Sequence, residues 1–567
     1  MHYRKLSNNR TIHHEAHQNV FVSLRAQPCS NVHAVHEEER CVFVQETEEC
    51  RESMHYFDYM YFMYCIIDSS NMAVFGAAII ALLLVVLYIG VIIHSLCVNY
   101  YVGSVLYVAK TWSLNEYTAG ITLLTYGNGL SQVLSELKHH TSEDTELIYN
   151  QYLGTAVYQA SFLAALVTWT RRFYIYPEVI VPNIITLMIV ALLVEGIMFD
   201  EEVGIFQTAI LGVLYVAFLS TLYTVTLMLD RERNRSRSQI EVRDVSGKLF
   251  DISLTETAST VENYLNTSWS ERTWRLFRTF RNEDYRAASC GKKLYLLCNM
   301  PTDVIAVLLL PRVNYELPLH GWNRWLCIMN VNFYPLFLIS TAMVDLFSFY
   351  ELSWACLGSL VASMTLSLAI CISTRDDLKP PFFDCIGIFA VFGTSYLVML
   401  LSYEMIAILE TLSIIANIST ASFVITILSW GSCWIDLVTL TTLAKRGYPR
   451  LAFAACLGAP VFNILIGLCT VFSVQMIRAE STTIHVRDGT SGPTSSAYLF
   501  IISLTILLLV LITHFRASFS LSLCMMMLYL TYLLFIALCE LEITHGYGTD
   551  HNDDGEYFQD QVPQHIR

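Results

Sequence analysis

The chain has 567 residues, 54% of them hydrophobic and 15% charged, with a mean hydropathy of +0.47. Soluble domains average roughly half apolar and a quarter charged, so this excess needs lipid to absorb it and an ordinary water-soluble globule is excluded. The net charge of -15 arises from acidic residues gathered in the two termini and in short loops, so it reports topology before it reports any cation-seeking surface.

Residues 1–71 are polar and rich in His and Glu. They lack the basic start and short apolar core of a cleavable secretory signal, and they are too acidic for a mitochondrial presequence. Cys29, Cys41, Cys50 and Cys65 lie in this segment and can form disulfides if it faces an oxidising compartment. The other cysteines are scattered, many inside apolar runs, with no CxxC pair and no zinc-ligand spacing, and they read as small apolar filler.

A membrane-crossing helix needs about 20 apolar residues. Runs that meet this cover 72–98, 120–137, 154–170, 176–198 and 205–229. The Arg-, Ser- and Asn-rich stretch that follows, with RERNRSRSQIEVR, cannot bury a core and reads as a solvated loop able to touch anionic lipid. The run 294–310 is short, holds Pro301 and Asp303, and is read as interfacial or re-entrant. Spans resume over 325–346, 352–373, 382–403, 422–443, 451–476, 497–513 and 517–538, about twelve in all. The expected division is a polar amino-terminal segment (1–71), a first membrane repeat (72–229), a partly interfacial polar loop (230–324), two additional helices (325–373), a second repeat (382–541) and an acidic tail (542–567).

Loop charges orient these spans. With the amino terminus outside, Arg171, Arg172, the loop after Asp230, Arg375, Lys379, Lys445, Arg446 and Arg450 fall inside. Asp200, Glu201, Glu202, Glu351, Glu404 and the acidic tail fall outside. Asn266, in an NTS sequon, lies on the inside in this scheme.

The chain matches itself. TLLTYGNGLSQVLS from Thr122 aligns with TILSWGSCWIDLVT from Thr426, and LGTAVYQ from Leu153 aligns with LGAPVFN from Leu457. One ungapped register of 304 positions relates both pairs, joining Gly127 to Gly431 and Gly154 to Gly458. The charge scheme orients the two copies oppositely, so the repeat is inverted. Inverted repeats with glycine-interrupted helices are the architecture of many secondary transporters, with the substrate site at the repeat interface near mid-membrane. Gly127 and Gly431 are therefore expected to mark unwound turns that open backbone carbonyls to a cation, against the plainer reading that small residues let helices pack closely. The fold class is an all-α membrane protein, an inverted-repeat secondary transporter of two five-helix halves plus about two extra helices.

These motifs resemble the cation/calcium antiporter superfamily, and within it the mitochondrial sodium/calcium exchanger type. WGSCWIDLVTLTTLAKRGYPRLAFAACLGAPVFNILIG resembles that family's WGNSIGD segment and its GYPR and FN motifs; YGNGLSQVLS resembles FGNGAPDxFS, and DYMYFMYC from Asp58 resembles the stretch before the first span. The resemblance covers about 41–541 and implies ten core helices and one cation site reached alternately from each side. It implies that Asn128, Gly129, Gln132 and Ser135 line one half of that site and Ser432, Cys433, Asp436 and Thr439 the other. Gln159 and Asn463, equivalent in the internal register, add amide oxygens.

The chain departs from the pattern: Leu130, Ser131 and Gln132 stand where the first repeat has Ala, Pro and its acid, Ser432 replaces Asn, Cys433 replaces Ser, and Leu440 stands where a second acid often does. Asp436 alone keeps its charge. A carboxylate centred in WIDLVTL is expensive in a membrane unless it is paired or coordinating, which makes Asp436 the principal expected ligand. Glu136 lies one turn beyond Gln132 and is either a replacement charge or a solvated residue at the outer interface. Glu195 is either functional or interfacial, and Cys433 either packs or ligates a soft ion.

The expected activity is exchange of sodium, or of lithium or protons, for calcium or another cation by alternating access, with no cofactor. The alternative is a transport-impaired paralogue serving as a regulatory or binding subunit. The expected partners are inorganic cations and the lipid bilayer, with no nucleic acid, and no feature sets an oligomeric state. No phosphate loop, HExxH or nucleophile elbow suggests an enzyme. The resemblance points to the mitochondrial inner membrane, with the plasma membrane as the alternative.

Overall fold

The computed structural model describes residues 29–47, 50, 57–67, 71–136, 142–200, 202–239, 289–342, 349–376, 378–486, 491–541 and 543–544. Asn266 and the carboxyl-terminal tail lie outside the described residues, as do the side chains of Ser135 and Glu136. Long helices dominate. In chain order they are α1 (Met72–Thr111), α2 (116–136), α3 (142–170), α4 (Pro177–Met198), α5 (Ile205–Gln239), α6 (Cys290–Leu309) and α7 (Arg324–Ala342). Then follow α8 (Phe349–Ser373), α9 (Phe383–Ile415), the two segments of α10 (Thr420–Ser432 and Trp434–Arg446), α11 (Pro449–Arg478), α12 (Ser491–Ile512) and α13 (Phe519–Glu540).

Eight of these helices are long and apolar enough to cross a membrane, and the bent α10 makes a ninth. Helices α2 and α3 fall short of that apolarity because Asn128, Ser131 and Gln132 interrupt the one and Asn150, Gln151 and Gln159 the other. The chain is a multi-pass membrane protein. Its two five-helix halves are α1–α5 and α9–α13, with α6, α7 and α8 between them. The run 294–310, expected to be interfacial or re-entrant, lies within the 20-residue helix α6, which is not among the helices apolar enough to cross a membrane. Its polar content keeps it short of that apolarity: Asn299, Pro301, Thr302 and Asp303 sit in its middle, and Asn299 and Asp303 are buried.

The two-fold relation between the halves is visible atom by atom. Asn115 caps α2 by accepting from the Thr118 amide (2.8 Å), and Ser419, 304 positions on, caps α10 by accepting from the Ser422 amide (3.3 Å). A π-turn occupies Gly120–Leu124 and recurs at Val424–Leu428; another occupies Gln159–Leu163 and recurs at Asn463–Gly467. Such turns widen the helix and cluster at functional sites. In each copy a hydroxyl reaches five residues back across the wide turn, Thr125 to the Gly120 carbonyl and Ser429 to the Val424 carbonyl, both at 3.0 Å.

The halves interlock through the second and third helices of each. A Cβ on Gly154 of α3 would come within 2.6 Å of the Ile425 carbonyl on α10, and one on Gly458 of α11 within 3.1 Å of the Ile121 side chain on α2. Ile121 and Ile425 are themselves equivalent in the register, so one crossing is the two-fold image of the other. Helix α11 runs through the centre of the molecule and is almost wholly buried, whereas α8 lies at the periphery with Tyr350, Trp354, Val361, Met364 and Ile372 exposed.

Charges sort to opposite ends. At one, Arg446 donates to the Val98 carbonyl (3.1 Å), Arg450 to the Tyr174 carbonyl (3.1 Å), and Lys379 pairs with Asp384 (3.5 Å). The GYPR motif builds the turn at this end. Gly447 closes α10 with φ +102°, Pro449 occupies the first turn of α11, and Arg450 ties the turn to the loop after α3. At the other end a short antiparallel pair, β1 (Glu202–Gly204) and β2 (Thr483–His485), joins the halves, and the amino-terminal segment docks. That segment is held by disulfides Cys29–Cys50 and Cys41–Cys65 and has a small core of Val32, Phe43, Val44, Met60 and Met63. Tyr59 donates to Glu404 of α9 (2.9 Å), and burial, reinforced by this contact, raises the Tyr59 pKa.

Candidate cation site

Helix α10 breaks at Cys433, where φ −90° and ψ 12° leave the helical region and the two segments meet at 47°. The break places Asp436 in the first turn of the second segment, where the helix dipole favours a negative charge. Asp436 is only 7% exposed. Its carboxylate accepts from two neutral amides of the first repeat, Oδ1 from Nδ2 of Asn128 and Oδ2 from Nε2 of Gln159 (2.7 Å). Among the described residues no Lys or Arg forms an ion pair with it.

The same contact is repeated across the pseudo-two-fold axis with the charge removed. Asn463, the counterpart of Gln159, donates from Nδ2 to Oε1 of Gln132, the counterpart of Asp436, at 3.2 Å. The carbonyl oxygens Gln159 Oε1 and Asn463 Oδ1 are buried and accept no hydrogen bond. Gly129 is required beside them, because a Cβ there would lie 2.6 Å from Asn463 Oδ1. Cys433, at the position equivalent to Gly129, is buried at the cap of the segment whose first turn holds Asp436.

Asn128, Gly129, Gln132, Gln159, Cys433, Asp436 and Asn463 thus come together where α2, α3, α10 and α11 cross. Thr439 is buried one turn beyond Asp436, with its hydroxyl donating to the Ile435 carbonyl of its own helix (2.7 Å). Ser432 is half-buried and donates to the Ser429 carbonyl (3.2 Å). Glu195 stands apart near the end of α4, where it accepts from Tyr149 (3.0 Å).

The expectation for Gly127 and Gly431 is corrected. Helix α2 runs unbroken through Gly127, whose bare backbone makes room for the Tyr101 hydroxyl of α1, and Gly431 packs against Ile406 of α9. Close packing explains both. Sequence reasoning missed Tyr101, which is fully buried and donates to the Leu124 carbonyl (3.4 Å), because nothing in its local sequence marks a side chain that reaches another repeat helix. It also left Asp303 unassigned: this second buried acid accepts from Ser95 of α1 (3.0 Å), outside the site.

The donor set is hard, with one carboxylate and several amide oxygens, which suits alkali and alkaline-earth cations. A buried carboxylate with only neutral partners is costly to keep in the absence of a counter-ion. A cation would relieve that cost and employ the two idle amide oxygens.

The sequence model of the family described as "Sodium/calcium exchanger protein" matches residues 82–224 and 386–538, one stretch in each half. The mitochondrial sodium/calcium exchanger proteins of Rattus norvegicus and Homo sapiens are each 24% identical over 540 residues, covering 91% of this chain and 90% of theirs. Cation/calcium exchanger 1 of Arabidopsis thaliana is 24% identical over 445 residues, covering 76% of this chain and 74% of its own. A solved structure of the sodium-calcium exchanger NCX_Mj, soaked with zero sodium and calcium, aligns over 81% of this chain and 98% of its own at 12% identity and a TM-score of 0.40. With both inverted halves matched by the family's pattern over more than half the chain, the protein belongs to the sodium/calcium exchanger family.

Proposed function

We propose that the chain exchanges sodium for calcium across a membrane by alternating access, with Asp436 as the one charged ligand. The observation that carries this reading is a buried carboxylate, held by neutral amides of the opposite repeat, beside two amide oxygens that accept nothing. Asn128, Gln132, Gln159 and Asn463 supply neutral oxygens, by rotation of their amides where the nitrogen now faces the carboxylate. Thr439 and Ser432 extend the oxygen lining, and Gly129 keeps space for Asn463. One half of the molecule rocks or slides against the other around this site.

The names of the relatives support sodium and calcium as the cargo and the mitochondrion as the location. An amino-terminal segment closed by two disulfides fits placement on an oxidising side. Neither the relatives nor the donor set supports lithium or protons. A purely regulatory subunit is not favoured, because such a subunit has no need of an unpaired carboxylate at the repeat interface.

The charge count sets an expectation. A unit charge about 4 Å from an ion is worth roughly 4 kcal/mol at an effective dielectric of 20, and twice that for a divalent ion. The amide at Gln132 forgoes this term, so calcium is held more weakly than by a site with two acids. In reconstituted vesicles, sodium-driven calcium flux should be abolished in Asp436→Asn, while Gln132→Asp should tighten calcium at least about tenfold, a change of about 1.4 kcal/mol. Undiminished flux in Asp436→Asn would remove Asp436 from the site, and flux seen only in Gln132→Asp would favour the regulatory reading.

A further inference from the structure

Cys433 is the residue at which α10 breaks, and its thiol is enclosed at the interface between the halves. Its counterpart Gly129 has no side chain, so this position brings sulfur to the site from one side of the pseudo-two-fold axis and nothing from the other. Cys433 caps the segment whose first turn holds Asp436, and Asp436 Oδ2 accepts from Gln159 Nε2 at 2.7 Å. Gln159 is 1% exposed, and its Oε1 accepts no hydrogen bond. A carboxylate, a thiol and an idle amide oxygen therefore converge.

Sodium and calcium gain little from sulfur, whereas thiophilic divalent ions gain much. A divalent ion at this site meets one carboxylate charge, and a sulfur ligand, which binds metal as thiolate, would supply a second negative charge that Gln132 does not.

We propose that Cys433, with Asp436 and Gln159, makes this a binding site for a thiophilic divalent cation of about calcium's size, which competes with calcium there. This deepens, and rests on, the reading of the site as a cation site. On binding, the S–H bond breaks, a metal–sulfur bond forms, and the proton leaves to bulk solvent with the displaced water; no electrons are transferred.

Cadmium is the probe, applied to the purified and reconstituted full chain. The unsubstituted protein should show an ultraviolet sulfur-to-cadmium charge-transfer band that calcium displaces, and the band should be absent from Cys433→Ser. The other free cysteines are common to both proteins and cancel in the difference spectrum. The cadmium concentration that halves sodium-driven calcium flux should rise about tenfold or more in Cys433→Ser, the scale of loss usual when one metal-supporting group is removed. Cys433→Ala, which keeps an apolar filling, is the second variant should serine disturb folding, and it must lose the band as well. Identical spectra and equal cadmium sensitivity in parent and variants, with flux intact, overturn the inference and leave the exchange reading standing. A calcium-displaceable band in a chain that carries no sodium-driven flux supports the inference and contradicts the exchange reading.

Discussion

Asp436 and its partners pose an energetic problem that an ion solves. Without one, a carboxylate buried among neutral amides is tolerated only because Asn128 and Gln159 donate to it. The Asp436→Asn protein should therefore fold, and in ion-free detergent it should melt no lower than the parent. Ligand linkage adds about 2.7 kcal/mol of stability at one hundred times the dissociation constant, so calcium or sodium should raise the melting temperature of the parent and leave that of Asp436→Asn unmoved. An ion-dependent shift that survives in Asp436→Asn would place the site elsewhere. Gly129→Ala tests the other half: the new methyl would press on Asn463, and the calcium concentration for half-maximal flux should rise about tenfold, or about 1.4 kcal/mol. Leu130→Ala, at a half-exposed neighbour, should change little. At this scale the paired positions Gln132 with Asp436 and Gln159 with Asn463 were legible, because an ungapped register aligns them. Tyr101 was not, since its partner is a carbonyl on another helix, and Gly127 was misread because a glycine between polar residues can serve packing as well as ligation.

Elements carry the geometry. Four π-turns in one register and two helix crossings related by Gly154 and Gly458 hold the second and third helices of each half at fixed rotation. Gly154→Ala would drive a methyl toward the Ile425 carbonyl and should cost about 1–3 kcal/mol, read as a lower melting temperature. Gly76→Ala on α1, where nothing lies within 4 Å, should be neutral or slightly stabilising. Equal effects of the two would mean the crossing is not tight. Helix ends were not read from the sequence, although Asn115, Ser419 and the GYPR turn set them by local chemistry. The break at Cys433 without a matching break in α2 was not legible, because no proline marks it and the two motifs look alike. Helix α6 was legible only as a short interfacial or re-entrant run, because its buried face carries Asn299 and Asp303, whose contacts with α1 and with its own backbone hydropathy does not record.

At the scale of the whole molecule, two oppositely oriented five-helix halves share one interface, and the amino-terminal segment is clamped to α9, a helix of the second half. Each disulfide closes a loop of 21 or 24 residues and is worth roughly 3 kcal/mol in the chain-entropy account. Reduction, or Cys41→Ser with Cys65→Ser, should release the segment from Glu404 and Ile414 and expose it to protease before the helical core unfolds. Protection unchanged after reduction would show that noncovalent packing alone holds it. The inverted architecture was legible from self-similarity and loop charge, whereas the docking of a polar leader depends on disulfide pairing that spacing does not reveal. The measurement that bears most directly on the central claim is an ion-resolved experimental structure, with strontium in place of calcium for its anomalous signal. The ion should lie between Asp436, Gln159 and Asn463, where the two inverted hairpins meet; an ion bound elsewhere, with Asp436 still held by Asn128 and Gln159, would contradict the account.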